Sequence, residues 1–195
     1  MSLSRLDLAP VLGVLSLLVC GCSDPVPPTP RGGFDVNWVD SPVEECPIRS
    51  HRAQVGSPTA TDPGTKLVDG EEGAEIECSV TGAGPFKVSA SAVQGANILR
   101  LNIPSISPSA SQAAPASGSV NFRSAELTSG SVSSDSTVPC TFWFPDGRSE
   151  DQRVTGGKIW VAFECSRMLT PPMNNPCKIS ESYALFENCD TGEEE

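Results

Sequence analysis

The chain has 195 residues with a formal net charge of −11, 13 basic side chains against 24 acidic ones, 8 cysteines and a single histidine. With no Lys/Arg cluster, its field repels phosphate backbones and anionic headgroups, which excludes nucleic acid and electrostatic membrane docking as its modes of binding. Charged residues make up 19% and apolar ones 38%, a composition that fits neither a disordered polyelectrolyte nor an integral membrane protein and favours a small, turn-rich exported domain.

At the start, Leu8 to Val19 is almost wholly apolar. Its 12 residues fall short of the roughly 20 that a membrane-spanning helix needs, so it reads as the core of an export signal. Val19, Cys20, Gly21 and Cys22 follow, and this stretch resembles the leader of bacterial lipoproteins. The resemblance covers only the leader and implies that residues 1–21 are a signal peptide, that Cys22 carries the lipid, and that the membrane is reached through that lipid. An ordinary secretory leader is the alternative. Choosing Cys20 as the lipid site would put bulky Val19 where the pattern has a small residue. Ser23 after the anchor resembles outer-membrane rather than inner-membrane cargo if the cell is Gram-negative.

Residues 22–33 then read as the lipidated cysteine and a tether. Four prolines between Ser23 and Gly33 keep it extended, at most about 35 Å long. Residues 34–190 form one domain, followed by an acidic tail at 191–195. Within the domain the apolar residues recur with period two, the signature of half-buried strands. Phe34, Val36 and Trp38 open the series; Ile76, Cys78 and Val80 continue it, then Phe86 and Val88. Further strands are expected at Ala96 to Ile103, Ser119 to Leu127, Thr141 to Phe144, Lys158 to Cys165 and Ile179 to Cys189, with turns at Asp62, Asp69, Gly82, Asp146 and Gly156. No stretch has helical periodicity. The fold class is therefore all-β, an antiparallel sandwich stapled by disulfides. Two segments, TFWF and KIWVAF, are apolar on both faces, as central strands are. The low-complexity stretch Pro104 to Gly118 joins two strands and reads as mobile.

Setting aside Cys20 in the leader and Cys22 under lipid leaves Cys46, Cys78, Cys140, Cys165, Cys177 and Cys189, an even set suited to three disulfides. The segment between Cys177 and Cys189 has no Gly or Pro. As a strand it would hold its ends roughly 40 Å apart, so those two should not pair. The proline-rich segment between Cys165 and Cys177 makes these two the favoured pair.

Chemistry is sparse in this sequence. No Cys-x-x-Cys occurs, and one histidine cannot complete a two-histidine zinc site. Serine-hydrolase, metalloprotease and phosphate-loop motifs are missing, so no catalytic residue, cofactor or metal is assigned. His51 lies beside Arg52 and Arg49, whose charges disfavour its protonation, and reads as a structural histidine. The carboxylate pairs Glu44–Glu45 and Glu150–Asp151 sit in polar turns, without the burial that acid/base work requires. Asp69 to Glu75 gathers carboxylates on a glycine-bent loop, a calcium-cage composition without the known ligand spacing. Phe142, Trp143, Phe144, Trp160 and Phe163 form an aromatic cluster that reads as core. Trp143 and Trp160 are the candidate binding residues if either faces outward. The expectation is a non-catalytic envelope module that is structural, packing in the envelope, or binds a protein or glycan, with a small hydrolase or enzyme inhibitor as the alternative.

Overall fold

The computed structural model describes residues 28–128, 130–147, 153–170 and 175–192. The leader, Cys22, most of the tether, Glu150, Asp151 and the final three residues of the tail lie outside that range. Twelve strands run in chain order: β1 (Arg31–Val39), β2 (His51–Val55), β3 (Leu67–Val68), β4 (Ala74–Thr81), β5 (Phe86–Gln94), β6 (Asn97–Ile106), β7 (Ala116–Arg123), β8 (Val132–Ser134), β9 (Cys140–Trp143), β10 (Val154–Thr155), β11 (Lys158–Thr170) and β12 (Asn175–Glu187). They make one antiparallel sheet of order β2-β1-β12-β11-β8-β7-β6-β5-β4, with β3 on β1, β10 on β11, and β9 between β11 and β7.

The sheet folds over itself into two facing layers, and β1 and β2 pack across onto β4, β5 and β6. Strands β8 and β9 turn the corner, because each pairs with β7 of one layer and β11 of the other. On the opposite side β4 meets the end of the chain: Val80 N–H donates to Asp190 C=O, and Asp190 N–H donates to Cys78 C=O. Gly157 completes this clasp, donating to Val80 C=O and accepting from Cys189 N–H. Its φ of +77° and a carbonyl 3.0 Å from where a Cβ would stand make glycine the residue that fits. The β4 edge of the folded sheet is thereby joined to the segment after β12.

Period-two burial fills the space between the layers. Phe34, Val36 and Trp38 of β1, Ile76 and Val80 of β4, and Val88 of β5 are all inside. β11 is buried on both faces, as its composition predicts. Ile159, Val161 and Phe163 enter the main core, whereas Trp160 and Ala162 join Trp143 and Leu185 on the outer face of the same layer.

Three expectations about the strands change. Arg31 to Gly33, placed in the tether, are the first residues of β1, where they pair with β12. The strand expected over Ser119 to Leu127 stops at Arg123. The stretch from Pro104 to Gly118 is largely ladder: β6 runs on to Ile106 and β7 starts at Ala116. Between them Ala110 is buried and its carbonyl accepts from Phe144 N–H. Small side chains lowered its apparent order in sequence, but ladder bonds are backbone bonds and do not need large ones.

The disulfide pairing also differs. The bonds are Cys46–Cys177, Cys78–Cys189 and Cys140–Cys165. Cys165 and Cys177 do not meet because the segment between them is not a loop throughout. Strand β11 continues to Thr170 and β12 begins at Asn175, so the hairpin register sets Cys165 against Ile179 and Cys177 against Met168. Cys177 and Cys189 stand on one long strand and its end, unpaired with each other, as the strand argument requires.

Candidate functional site

The outer face of β1, β12, β11 and β9 carries the candidate site. Directly paired residues in an antiparallel ladder share a face, so the register defines rungs across it. One rung is Arg31, Glu187 and Lys158; another contains Leu185 and Trp160; a third is Asp35, Tyr183, Ala162 and Trp143. A strap, residues 56–66, leaves β2 and crosses this face. Its neck is closed by Ser57 N–H to Thr65 C=O at 3.0 Å and by Thr65 N–H to Ser57 Oγ at 3.0 Å. The turn predicted at Asp62 lies in the strap, where the Asp62 carboxylate accepts from Gly64 N–H. Gly33 makes the crossing feasible, since a Cβ there would stand 2.4 Å from Val55 C=O.

Trp160 Nε1–H donates to the Thr59 carbonyl of the strap at 3.2 Å. Trp143 and Trp160 are therefore not an exposed aromatic platform: they are 5% and 7% exposed. They line clefts instead. A cleft of about 650 Å³ lies between the strap and the turn after β9, bounded by Thr61, Pro63, Lys66, Asp146, Lys158, Trp160 and Glu187. A second, about 530 Å³, adjoins Trp143 and shares Asp146 with the first. A third, about 210 Å³, contains Asp35, Arg52 and Tyr183 and shares Glu181 with the second. Together they cross one face of the molecule.

Charge is concentrated in the first cleft. The Glu187 carboxylate takes Arg31 Nε at 2.8 Å, Lys66 Nζ at 3.2 Å and Lys158 Nζ at 3.3 Å. Burial alone would raise the Glu187 carboxyl. The Lys66 hydrogen bond and the charges of Lys66, Lys158 and Arg31 outweigh that and hold it below the ordinary glutamate value. A carboxyl held ionised in this way is a poor proton donor, so Glu187 anchors cations rather than serving as a general acid.

That depression has a sign for stability. A folded-state pKa below the unfolded value near 4.3 gives stabilisation fully present above that value and lost as pH falls through the folded one. Glu187→Gln should therefore show a shallower acid-side loss of thermal stability than the parent, and lower stability at pH 7. Parallel pH profiles would remove Glu187 from this role.

His51 takes part in an arrangement that sequence did not reveal. Its Nδ1 lies 2.8 Å from the Arg49 carbonyl, and its Nε2 lies 2.8 Å from Ser124 Oγ. A carbonyl only accepts, so Nδ1–H donates to Arg49, while Nε2 bonds the Ser124 hydroxyl with Glu126 Oε2 3.8 Å away. Nucleophile and base in hydrolases are oriented in the same way. Here Ser124 is 1% exposed, and the imidazole is packed with Trp38 and Phe122. The clefts described on the outer face do not include either residue. The pair fastens β2 to the end of β7, consistent with a structural histidine. Arg52 points to the other face and pairs with Asp35.

The acidic loop from Asp69 to Glu75 binds its own backbone. Asp69 accepts from Ile76 N–H and Glu71 from Val68 N–H, and among the described residues no three metal-ligating side chains converge. The opposite layer presents a different surface, a groove of about 550 Å³ over β4 to β8. One of its rungs runs Glu77, Ser91, Arg100, Asn121, Ser133. It has no aromatic side chain.

No protein-family model matches the chain, and no curated protein or solved structure matches it either.

Proposed function

We propose that this chain is a lipid-tethered module of the cell envelope that binds a protein or glycan and does not transform it. Export is supported by the leader sequence and by the six described cysteines, all of them in disulfides, as expected in an oxidising compartment. The observation that carries the binding role is the run of three clefts across one sheet face, with Trp160 and Trp143 in their walls. Concave surfaces combining aromatic carbon with a few fixed polar groups are where ligands bind. Two of the carboxylates there are committed to cations: Glu187 to three of them, and Asp35 to Arg52, with Gln54 donating to it as well.

A Cys22→Ala chain tests the tether. The parent should take up a palmitate analogue and sediment with membranes, whereas the variant should do neither. A variant that still carries label would place the lipid elsewhere. Cross-linking of envelope components to the parent, followed by capture, tests the binding role.

A further inference from the structure

We infer that the Cys78–Cys189 bond is a thiol-exchange site, the disulfide that a dithiol reductant reaches first while the domain stays folded, and that its opening releases the β4 edge. The bond lies away from the three clefts and is independent of what they bind. Burial separates it from the other two disulfides. Cys140, Cys165 and Cys177 are fully buried and Cys46 is 7% exposed, whereas Cys78 is only half-buried against the core. Position separates it further. Cys140–Cys165 joins two strands inside the sheet, β9 and β11, and Cys177 faces Met168 within the β11–β12 ladder. Cys78 sits instead in β4, the last strand of the sheet order, and Cys189 lies just beyond β12, past a bend at Asn188 with a φ of +59°.

Little besides the disulfide holds Cys189 against β4. Asp190 meets Ser79 in an isolated bridge, bonding Val80 N–H and Cys78 C=O, and Gly157 bonds Val80 C=O and Cys189 N–H. The segment that carries Cys189 therefore also covers this stretch of edge backbone. Lifting it breaks only these few bonds and leaves the β1–β12, β11–β12 and β4–β5 ladders intact. Openings of that size belong to the low end of a domain's range of local stabilities. In the exchange, a thiolate of the reductant attacks Cys78 Sγ, the sulfur of the more exposed residue; the Sγ–Sγ bond breaks and Cys189 leaves as a thiolate that takes up a proton. The reductant's second thiolate then attacks its own sulfur in the mixed disulfide and closes a ring, and Cys78 leaves as the second thiolate, which is protonated in turn. Two electrons pass from the dithiol to the protein, and both protons come from its two thiols. Loop length governs what a disulfide adds to stability, whereas access governs which one is attacked first.

Timed exposure of the purified full chain to dithiothreitol under native conditions, followed by alkylation and peptide mapping, gives the order of reduction. Cys78 and Cys189 are expected to take the label together, about tenfold or more faster than Cys46, Cys140, Cys165 and Cys177. Hydrogen exchange of this partly reduced form should be faster in the peptides carrying Val80 and Asp190, and unchanged across Val161 and Phe163. Gly157→Ala sets a methyl group against the Cys189 carbonyl in the left-handed backbone region. It should speed labelling of Cys78 and Cys189 about fivefold, the size of a left-handed strain penalty, and leave Cys140–Cys165 at the parent's rate. First labelling at either of the other two bonds, labelling of all three at one rate, or unchanged exchange at Val80 after reduction would each overturn the assignment. Equal acceleration of all three bonds in Gly157→Ala would overturn the local clasp in the same way.

Discussion

Removing the Cys46–Cys177 bond by paired alanine substitution is expected to lower stability by about 5 kcal/mol, and removing Cys78–Cys189 by nearly as much. The same substitution at Cys140 and Cys165 is expected to cost about 3.5 kcal/mol. The ranking follows from the chain lengths that the bonds close, 131, 111 and 25 positions, because a cross-link acts chiefly by restricting the unfolded chain. Each bond has one partner in β11, β12 or the residue run just after β12. The other partner lies in the β1–β2 loop, in β4 or at the start of β9. The C-terminal hairpin is thus tied separately to three distant segments. Denaturant unfolding of the three double variants checks this, and a domain stable by 5 to 15 kcal/mol would register losses of this size clearly. If the short-loop variant were the least stable of the three, loop entropy would not be what these bonds supply.

Much of the fold is legible in side-chain alternation. Phe34, Val36 and Trp38 announce β1, and the doubly apolar runs of β9 and β11 announce neighbouring central strands, which the pairing of Phe142 with Phe163 bears out. Pairing between distant cysteines is not legible in the same way. It depends on the stagger of the β11–β12 hairpin and on which strands the sheet brings together as it folds over. The stretch around Gly118 fails for another reason. A Cβ there would stand 2.5 Å from Asn102 C=O and 2.8 Å from the Phe142 ring. Small residues in it mark close packing, where composition alone suggests looseness.

The site was legible only in its aromatic half. Trp160 stands out in KIWVAFEC, but Arg31, Lys66 and Lys158 come from three separate segments and form no basic cluster along the chain. Only the register of β1, β12 and β11 puts Arg31 and Lys158 on either side of Glu187, and only the strap adds Lys66. His51 and Ser124, 73 positions apart, were hidden for the same reason.

Phe163→Ala is expected to cost about 3 to 5 kcal/mol, the range for truncating a buried phenylalanine. Phe163 is fully buried in β11, two residues from the Cys140–Cys165 bond, and its ring centroid lies 5.8 Å from that of Phe142. Both neighbours restrain the local backbone. The site should therefore collapse little around the missing ring, which puts the loss at the upper part of the range. A double-mutant cycle with Phe142→Ala isolates the ring pair, for which a coupling of about 0.5 to 1.5 kcal/mol is expected. Phe163→Leu keeps most of the apolar volume and should recover a large share of the loss while abolishing the coupling. A cost below about 1 kcal/mol for Phe163→Ala is what partly exposed positions show, and it would contradict a central strand covered on both faces. The disulfides keep the variant folded enough to measure, because they restrict the unfolded state of variant and parent alike and leave the difference between them to the core.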